Sequence, residues 1–377
     1  MKTRLVIITE IIAPYRIPVF NALARRGDVD LHVIFLSETD PSLREWTIPK
    51  AEINFSYQVL PSFRRRLGKY NLLVNGGLTS ALRLAAPDIV LCGGYSYVAS
   101  WQALAWAHRN KVPLILWVES TARDQRRGYA GVERLKKRFI GSSDAFVVPG
   151  TSSANYLKTF GVAAEKIFYA PNAVNTRFFT RQSVERRDLD SRLPPAYFLF
   201  VGRLVPEKGV FDLFAAYEKI APDVRERFGL VVAGNGSARR PLEDWARKID
   251  PGFIVFTGFQ HQEDLLRLYA NAHALVFPTH SDAWGLVVNE AVACGLPIVA
   301  TSAAGCVADL VEDGWNGLVT ESGNVDQLAD AMERLARNQQ MRDSMSLKSL
   351  ERSRAFSPEA CAAGLAEAAK SMECALG

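Results

Sequence analysis

Tyr197-Phe-Leu-Phe-Val-Gly-Arg-Leu-Val-Pro-Glu-Lys-Gly-Val210 reads as a buried strand, a short loop and the opening of a helix. Five apolar residues, 197–201, suit a strand covered on both faces. Gly202 lets the backbone turn at the strand end, Arg203 and Lys208 project from the loop, and Gly209 opens a helical stretch running to Ile220. Two cations beside a helix N-terminus are what a diphosphate requires. The guanidinium grips oxygens bidentately, the ammonium adds a point charge, and the helix end contributes partial positive charge. The loop is neither a Walker A sequence nor Gly-x-Gly-x-x-Gly. Taken alone, it equally fits ordinary surface cations on a loop.

On both sides of this segment short apolar runs alternate with amphipathic stretches, the signature of βα units on a parallel sheet. Upstream strands are expected at residues 5–8, 31–36, 56–60, 88–93, 114–119 and 145–148, and a helix over 151–160 ends at Gly161. Downstream strands are expected at 230–233, 254–257, 275–278, 298–301 and 317–319. Between Phe178 and Pro195 the sequence turns polar and ends in two prolines, which predicts a linker. The fold class is α/β: a Rossmann-like domain over 1–179, a linker over 180–195, a second Rossmann-like domain over 196–356, and an Ala-rich helix over 357–377. The 377 residues, 48% of them apolar, suffice for two cores.

Open α/β sheets bind ligands at the carboxyl ends of their strands, which draws attention to Pro278-Thr-His-Ser-Asp-Ala-Trp-Gly-Leu-Val-Val-Asn-Glu-Ala-Val-Ala-Cys-Gly-Leu-Pro-Ile-Val-Ala-Thr301. A strand ends, a loop carries Asp282, and a helix begins near Gly285 with Glu290 one to two turns in. The two carboxylates flank a loop-helix junction, so they can reach different ends of one elongated ligand. A solvated helix face is the plainer reading of Glu290.

These segments together resemble the retaining glycosyltransferases of family 4, which have the GT-B fold: two Rossmann-like domains with a cleft between them. The resemblance spans nearly the full length. Gly202-Arg-Leu-Val-Pro-Glu-Lys-Gly209 matches the family's diphosphate loop, and Asp282 with Glu290 matches its acidic pair, with Gly285 and Gly295-Leu-Pro297 in register. Weaker matches are Val148-Pro-Gly-Thr151, 166–178 and Ala233-Gly-Asn-Gly236. The resemblance implies that Arg203 and Lys208 bind the donor diphosphate and stabilise it as it leaves. Asp282 would contact donor-sugar hydroxyls, and Glu290 the ribose. Backbone near Trp284, Gly285 and Leu286 would lie beside the diphosphate, with Gly202 and Gly236 lining the nucleotide. It implies no cofactor and no catalytic metal, the nucleotide-sugar being a substrate.

Several positions depart from the family pattern. The first acid is usually Glu and here is Asp282. The glycine pair after the first strand is replaced by Thr9-Glu-Ile-Ile-Ala-Pro-Tyr-Arg-Ile-Pro18, which makes Tyr15 and Arg16 acceptor-side candidates. Many relatives place a His where this chain has Glu119. That carboxylate, a catalytic and acceptor-side candidate, either binds acceptor or sugar hydroxyls or pairs with Arg123, itself an acceptor-side candidate. Pro171-Asn-Ala-Val-Asn175 replaces the usual Pro-Asn-Gly-Val-Asp.

Asp188-Leu-Asp190 has the form of a metal-binding Asp-x-Asp but lies in the expected linker rather than at a strand end. His280 adjoins the acidic loop and reads as structural or solvated; His261 and His273 have no spaced partners. The five cysteines form no Cys-x-x-Cys pair, so no zinc or redox site is indicated.

Residues 1–180 hold 24 Lys and Arg against 13 Asp and Glu, whereas 181–377 hold 21 against 27. A basic first half faces membrane phospholipid, a lipid-phosphate acceptor or nucleic acid, or is simply a basic surface. No aromatic-basic interleaving supports nucleic acid. The basic segments are 63–69 and 123–140. In the second, Leu135, Phe139 and Ile140 alternate with cations, as on a helix lying on an anionic membrane or on one packed against the sheet. The apolar run near Met1 is interrupted by Glu10 and reads as a strand rather than a signal peptide. The expected location is therefore the cytoplasm, with a peripheral position on the inner face of the membrane if the basic face docks. The expected reaction moves a hexose or N-acetylhexosamine from a UDP- or GDP-sugar to a glycan or lipid-linked hydroxyl with retention. The alternatives are a sugar-nucleotide epimerase of the same fold and a catalytically weak sugar-nucleotide-binding partner.

Overall fold

A computed structural model describes residues 2–40, 48–67, 70–122, 130–185, 193–249 and 253–374. The chain forms two compact units, residues 1–173 with 357–377, and residues 174–356. In the first unit the strands are β1 (Thr3–Thr9), β2 (Val29–Phe35), β3 (Ser56–Val59), β4 (Ser62–Leu67), β5 (Tyr70–Asn75), β6 (Ile89–Cys92), β7 (Leu114–Trp117), β8 (Ala145–Val148) and β9 (Ile167–Tyr169). Seven of them make a parallel sheet in the order β3-β2-β1-β6-β7-β8-β9. The central strands are runs of Ile, Val and Leu buried on both faces, which is what helices on each side of a parallel sheet demand.

Strands β4 and β5 form a separate antiparallel hairpin, and with β9 they escape the sequence reading. Three consecutive arginines hide the alternation of β4, and β9 is only three residues long.

The second unit holds β10 (Tyr197–Val201), β11 (Gly229–Ala233), β12 (Ile254–Gly258), β13 (Ala274–Phe277), β14 (Ile298–Thr301) and β15 (Gly317–Thr320). They too are parallel, in the order β12-β11-β10-β13-β14-β15. Chain order reverses between β10 and β13. Open α/β sheets take ligands at such a switch point, beyond the carboxyl ends of the strands.

The boundary between units differs from the expected one. It falls between Ala173 and Val174, and the expected linker opens instead with a helix, Thr176–Glu185. Phe179 is the reason: it is buried, its ring meeting Tyr269 edge-on at 6.1 Å. Apolar burial at this one residue outweighs the polar composition that follows. Asp188 and Asp190 lie outside the described residues.

The helix Pro358–Cys374 belongs to the first unit. Cys361, Leu365 and Ala368 are buried in the core that Ile17, Phe20 and Leu23 line. Gly364 permits the approach, since a Cβ there would sit 2.0 Å from the Tyr169 carbonyl oxygen. Among the described residues no helix is long and apolar enough to cross a membrane.

Candidate active site

In the second unit the loops after β10 and β13 meet at the switch point. The loop after β10 is first lashed to the one after β11, the Leu204 amide donating to the Asn235 carbonyl and the Ala238 amide to that of Leu204. Gly236 lies in that seam. A single turn, Pro206–Lys208, then ends at Gly209 with φ of 67°. A Cβ on Gly209 would fall 1.9 Å from the Pro278 carbonyl oxygen, so only glycine lets the two loops touch. The Glu207 carbonyl accepts from the Thr279 hydroxyl at 3.1 Å and the His280 amide at 2.9 Å.

This contact delivers Lys208 Nζ to Asp282 Oδ2 at 2.5 Å, with the two side chains only 14% and 22% exposed. The Asp282 carboxylate also accepts from the Trp284 amide at 3.2 Å. Its loop is fixed from beneath by the Gly305 and Cys306 amides, which donate to the Asp282 and Trp284 carbonyls. Buried Trp284 donates from Nε1 to Asn289 Oδ1 at 2.7 Å. Gly285 and Leu286 then begin the helix Leu286–Ala293. The outcome is a partly shielded lysine-carboxylate pair on a braced loop, at the end of the sheet where ligands bind.

Arg203 and Glu290 are not part of that pair. Arg203, beyond Gly202, is 68% exposed and donates to Glu207 at 2.8 Å. An exposed pair of this kind contributes little and is readily exchanged for a better anion. Glu290 is half-buried and accepts from the hydroxyl of buried Tyr269 at 2.7 Å. His280 is engaged at both nitrogens, Nε2 lying 3.2 Å from Asp212 Oδ2 and Nδ1 3.0 Å from Ser322 Oγ, a structural arrangement. Tyr269, Asp212 and Ser322 were not legible in the sequence, because each partner arrives from a distant element.

Burial pushes the Glu290 carboxyl up to about 7 from 4.5, with the Tyr269 hydroxyl pulling the other way. In between, the folded chain keeps a proton that the unfolded chain has lost. The stability from this group is therefore fully present below about pH 4.5 and disappears as pH rises through about 7. The loss should be on the order of 2–3 kcal/mol. Melting curves at about pH 5 and about pH 8 should show a larger drop for the wild type than for Glu290→Gln; equal drops would contradict the assignment.

In the first unit, Arg16 stacks over Trp117 with 4.3 Å from guanidinium carbon to ring centre, and Tyr15 lies beside it. It donates from Nη2 to Glu119 Oε1 at 2.7 Å. Glu119 thus has a partner that neither sequence reading named, one 103 residues away. Arg123 lies outside the described residues. Arg64 also turns inward, with Nη1 2.5 Å from buried Asp40 and 3.2 Å from Glu10.

The basic helix Ala130–Gly141 packs against the sheet. Phe139 and Ile140 are buried, Phe139 edge-on to Trp101 at 5.0 Å, and Lys136 donates to Glu133 and to the Tyr156 hydroxyl, both at 2.9 Å. Of the three apolar residues on this helix, Phe139 and Ile140 are therefore core residues, while Leu135 is 53% exposed. A groove of about 330 Å³ crosses the amino halves of β1–β3 and includes none of the residues singled out in the sequence.

The family described as Glycosyl transferases group 1 matches residues 182–352, and the one described as Glycosyltransferase Family 4 matches residues 19–178. The chain belongs to glycosyltransferase family 4. This family 4 glycosyltransferase is 26% identical over 219 residues to the O-antigen chain mannosyltransferase B of Escherichia coli, which takes in 56% of each chain. It is 29% identical over 249 residues to the D-inositol 3-phosphate glycosyltransferase of Acidothermus cellulolyticus, covering 61% of this chain and 55% of that one. It spans about half the length of the relatives it matches.

In fold, the family 4 glycosyltransferase is similar to Anabaena Alr3699/HepE solved with UDP, at TM-score 0.77 and 17% identity over 98% of this chain and 100% of that one. The apo lipopolysaccharide outer core galactosyltransferase WaaB gives TM-score 0.71 and 16% identity, over 99% and 100%. The fold class is GT-B.

Proposed function

We propose that the protein is a retaining glycosyltransferase that moves a hexose or N-acetylhexosamine from a UDP- or GDP-sugar to a hydroxyl of a glycan or lipid-linked acceptor, in polysaccharide or glycoconjugate synthesis. The observation that carries this reading is the Lys208–Asp282 pair at the switch point between β10 and β13. The sugar's anomeric carbon exchanges its bond to the diphosphate for one to the acceptor oxygen, whose proton passes to the departing diphosphate. Lys208 neutralises the leaving diphosphate, joined by Arg203 once it exchanges Glu207 for phosphate oxygens. Such placed charge is the main catalytic term. With those two cations doing the neutralising, no metal or cofactor enters the reading.

Asp282 takes hydroxyls of the donor sugar, and the backbone at Trp284, Gly285 and Leu286 borders the diphosphate. Glu290 takes the ribose, releasing Tyr269, while Gly202 and Gly236 line the nucleotide. Tyr15, Arg16 and Glu119 serve the acceptor side, with Glu119 held by Arg16. UDP in the Anabaena structure and the mannosyl and D-inositol 3-phosphate names of relatives support a nucleotide-sugar donor and a hydroxyl acceptor.

A melting screen with UDP, GDP, ADP and TDP tests the donor. A ligand at about 100 times its dissociation constant stabilises by about 2.7 kcal/mol. UDP or GDP should raise the melting temperature and the others should not; no rise with any of the four would overturn the reading.

A further inference from the structure

We infer that the outer face of the β4–β5 hairpin is a docking surface for an anionic lipid bilayer. Strand pairing sets Phe63 against Val74 and Arg65 against Leu72, which places these four in one row on one face of the ribbon. Phe63 is 63% exposed, Leu72 and Val74 are 38% exposed each, and Arg65 is exposed as well. The opposite face is anchored. Leu73 is buried, Asn75 Nδ2 donates to the Leu36 carbonyl at 2.5 Å, and Arg64 holds Asp40 and Glu10. A two-stranded ribbon is marginal alone, and this one is held rigid by its inner row. A water-facing row would ordinarily be polar; here it is apolar around one arginine.

Charge selects the occupant. Residues 62–75 contain no Asp or Glu, and the first half of the chain has a strong excess of cations. A second copy meeting this face through a two-fold axis would set like charges together, with no carboxylate on either side to relieve them. A bilayer of anionic lipid suits both features: the aromatic ring enters the acyl boundary while the guanidinium reaches phosphate. Because Arg64 ties the hairpin to Glu10 and Asp40, just past β1 and β2, docking holds the carboxyl edge of the first sheet at the lipid surface. On the proposed function, which this last step rests on, the acceptor is lipid-linked.

The test is co-sedimentation of the full chain with phosphatidylcholine vesicles, with and without phosphatidylglycerol, at low salt. Binding should require phosphatidylglycerol. Phe63→Ser should weaken it about tenfold, and Arg65→Gln about fivefold. Leu135→Ser, on the core-packed helix, should leave it unchanged. The melting rise with UDP or GDP should persist in every variant, so that failed docking and a failed donor site give different results. Wild type that ignores the vesicles, or Phe63→Ser and Arg65→Gln proteins that bind as well as wild type, would overturn the inference. So would a concentration-dependent dimer abolished by Phe63→Ser, which would assign the face to a second copy.

Discussion

Lys208→Ala should reduce release of nucleoside diphosphate from the donor at least about a hundredfold, the usual effect of deleting one preorganised group that meets developing charge. The fold should tolerate it. Asp282 would lose its partner at 2.5 Å but keeps the Trp284 amide and some solvent, so the stability cost should stay at about 1–2 kcal/mol. The same ion pair yields an opposite expectation for its other member. In the free protein Asp282 competes with phosphate for the ammonium. Asp282→Asn should therefore bind nucleoside diphosphate at least as tightly as wild type while transferring sugar more slowly. Steady-state release assays with nucleotide titrations read both outcomes. A Lys208→Ala enzyme that releases diphosphate at the wild-type rate would remove the proposed site.

Gly209→Ala should be the most damaging single-methyl addition at the site. Its φ of 67° disfavours a side chain, and the new Cβ would lie 1.9 Å from the Pro278 carbonyl oxygen, a backbone atom that cannot swing aside. Relief requires the loops after β10 and β13 to part, which lengthens the Glu207 contacts and draws Lys208 from Asp282. We expect about 3 kcal/mol of destabilisation, a fall of about 10 °C in melting temperature, and loss of the nucleotide-induced rise. A variant that melts and binds UDP or GDP like wild type would show that the two loops need not touch.

Much of the fold was legible because buried parallel strands advertise themselves. Runs such as Ile89-Val-Leu and Leu114-Ile-Leu-Trp117 allow little else. The cation and carboxylate of the switch point were legible too, since each follows a readable strand. What the sequence withheld was pairing. Lys208 and Arg203 look equivalent in one loop, yet one is held by Asp282 and the other by Glu207. Glu119 reads as seeking Arg123 or a hydroxyl, and only the sheet order, with β6 alone between β1 and β7, brings Arg16 to it. Arg64 reads as one surface arginine among others until strand alternation turns it inward to Asp40. Local spacing states what a residue carries; the sheet order decides whom it meets.

The return of the helix Pro358–Cys374 to the first unit bears on how the protein is made. A nascent chain emerges from the ribosome amino end first, and domains ordinarily complete themselves in that order. Here the first unit must wait, with the surface around Ile17 and Phe20 lacking its cover, until the whole of the second has been translated. The later-made half, being continuous in sequence, can finish before the earlier one.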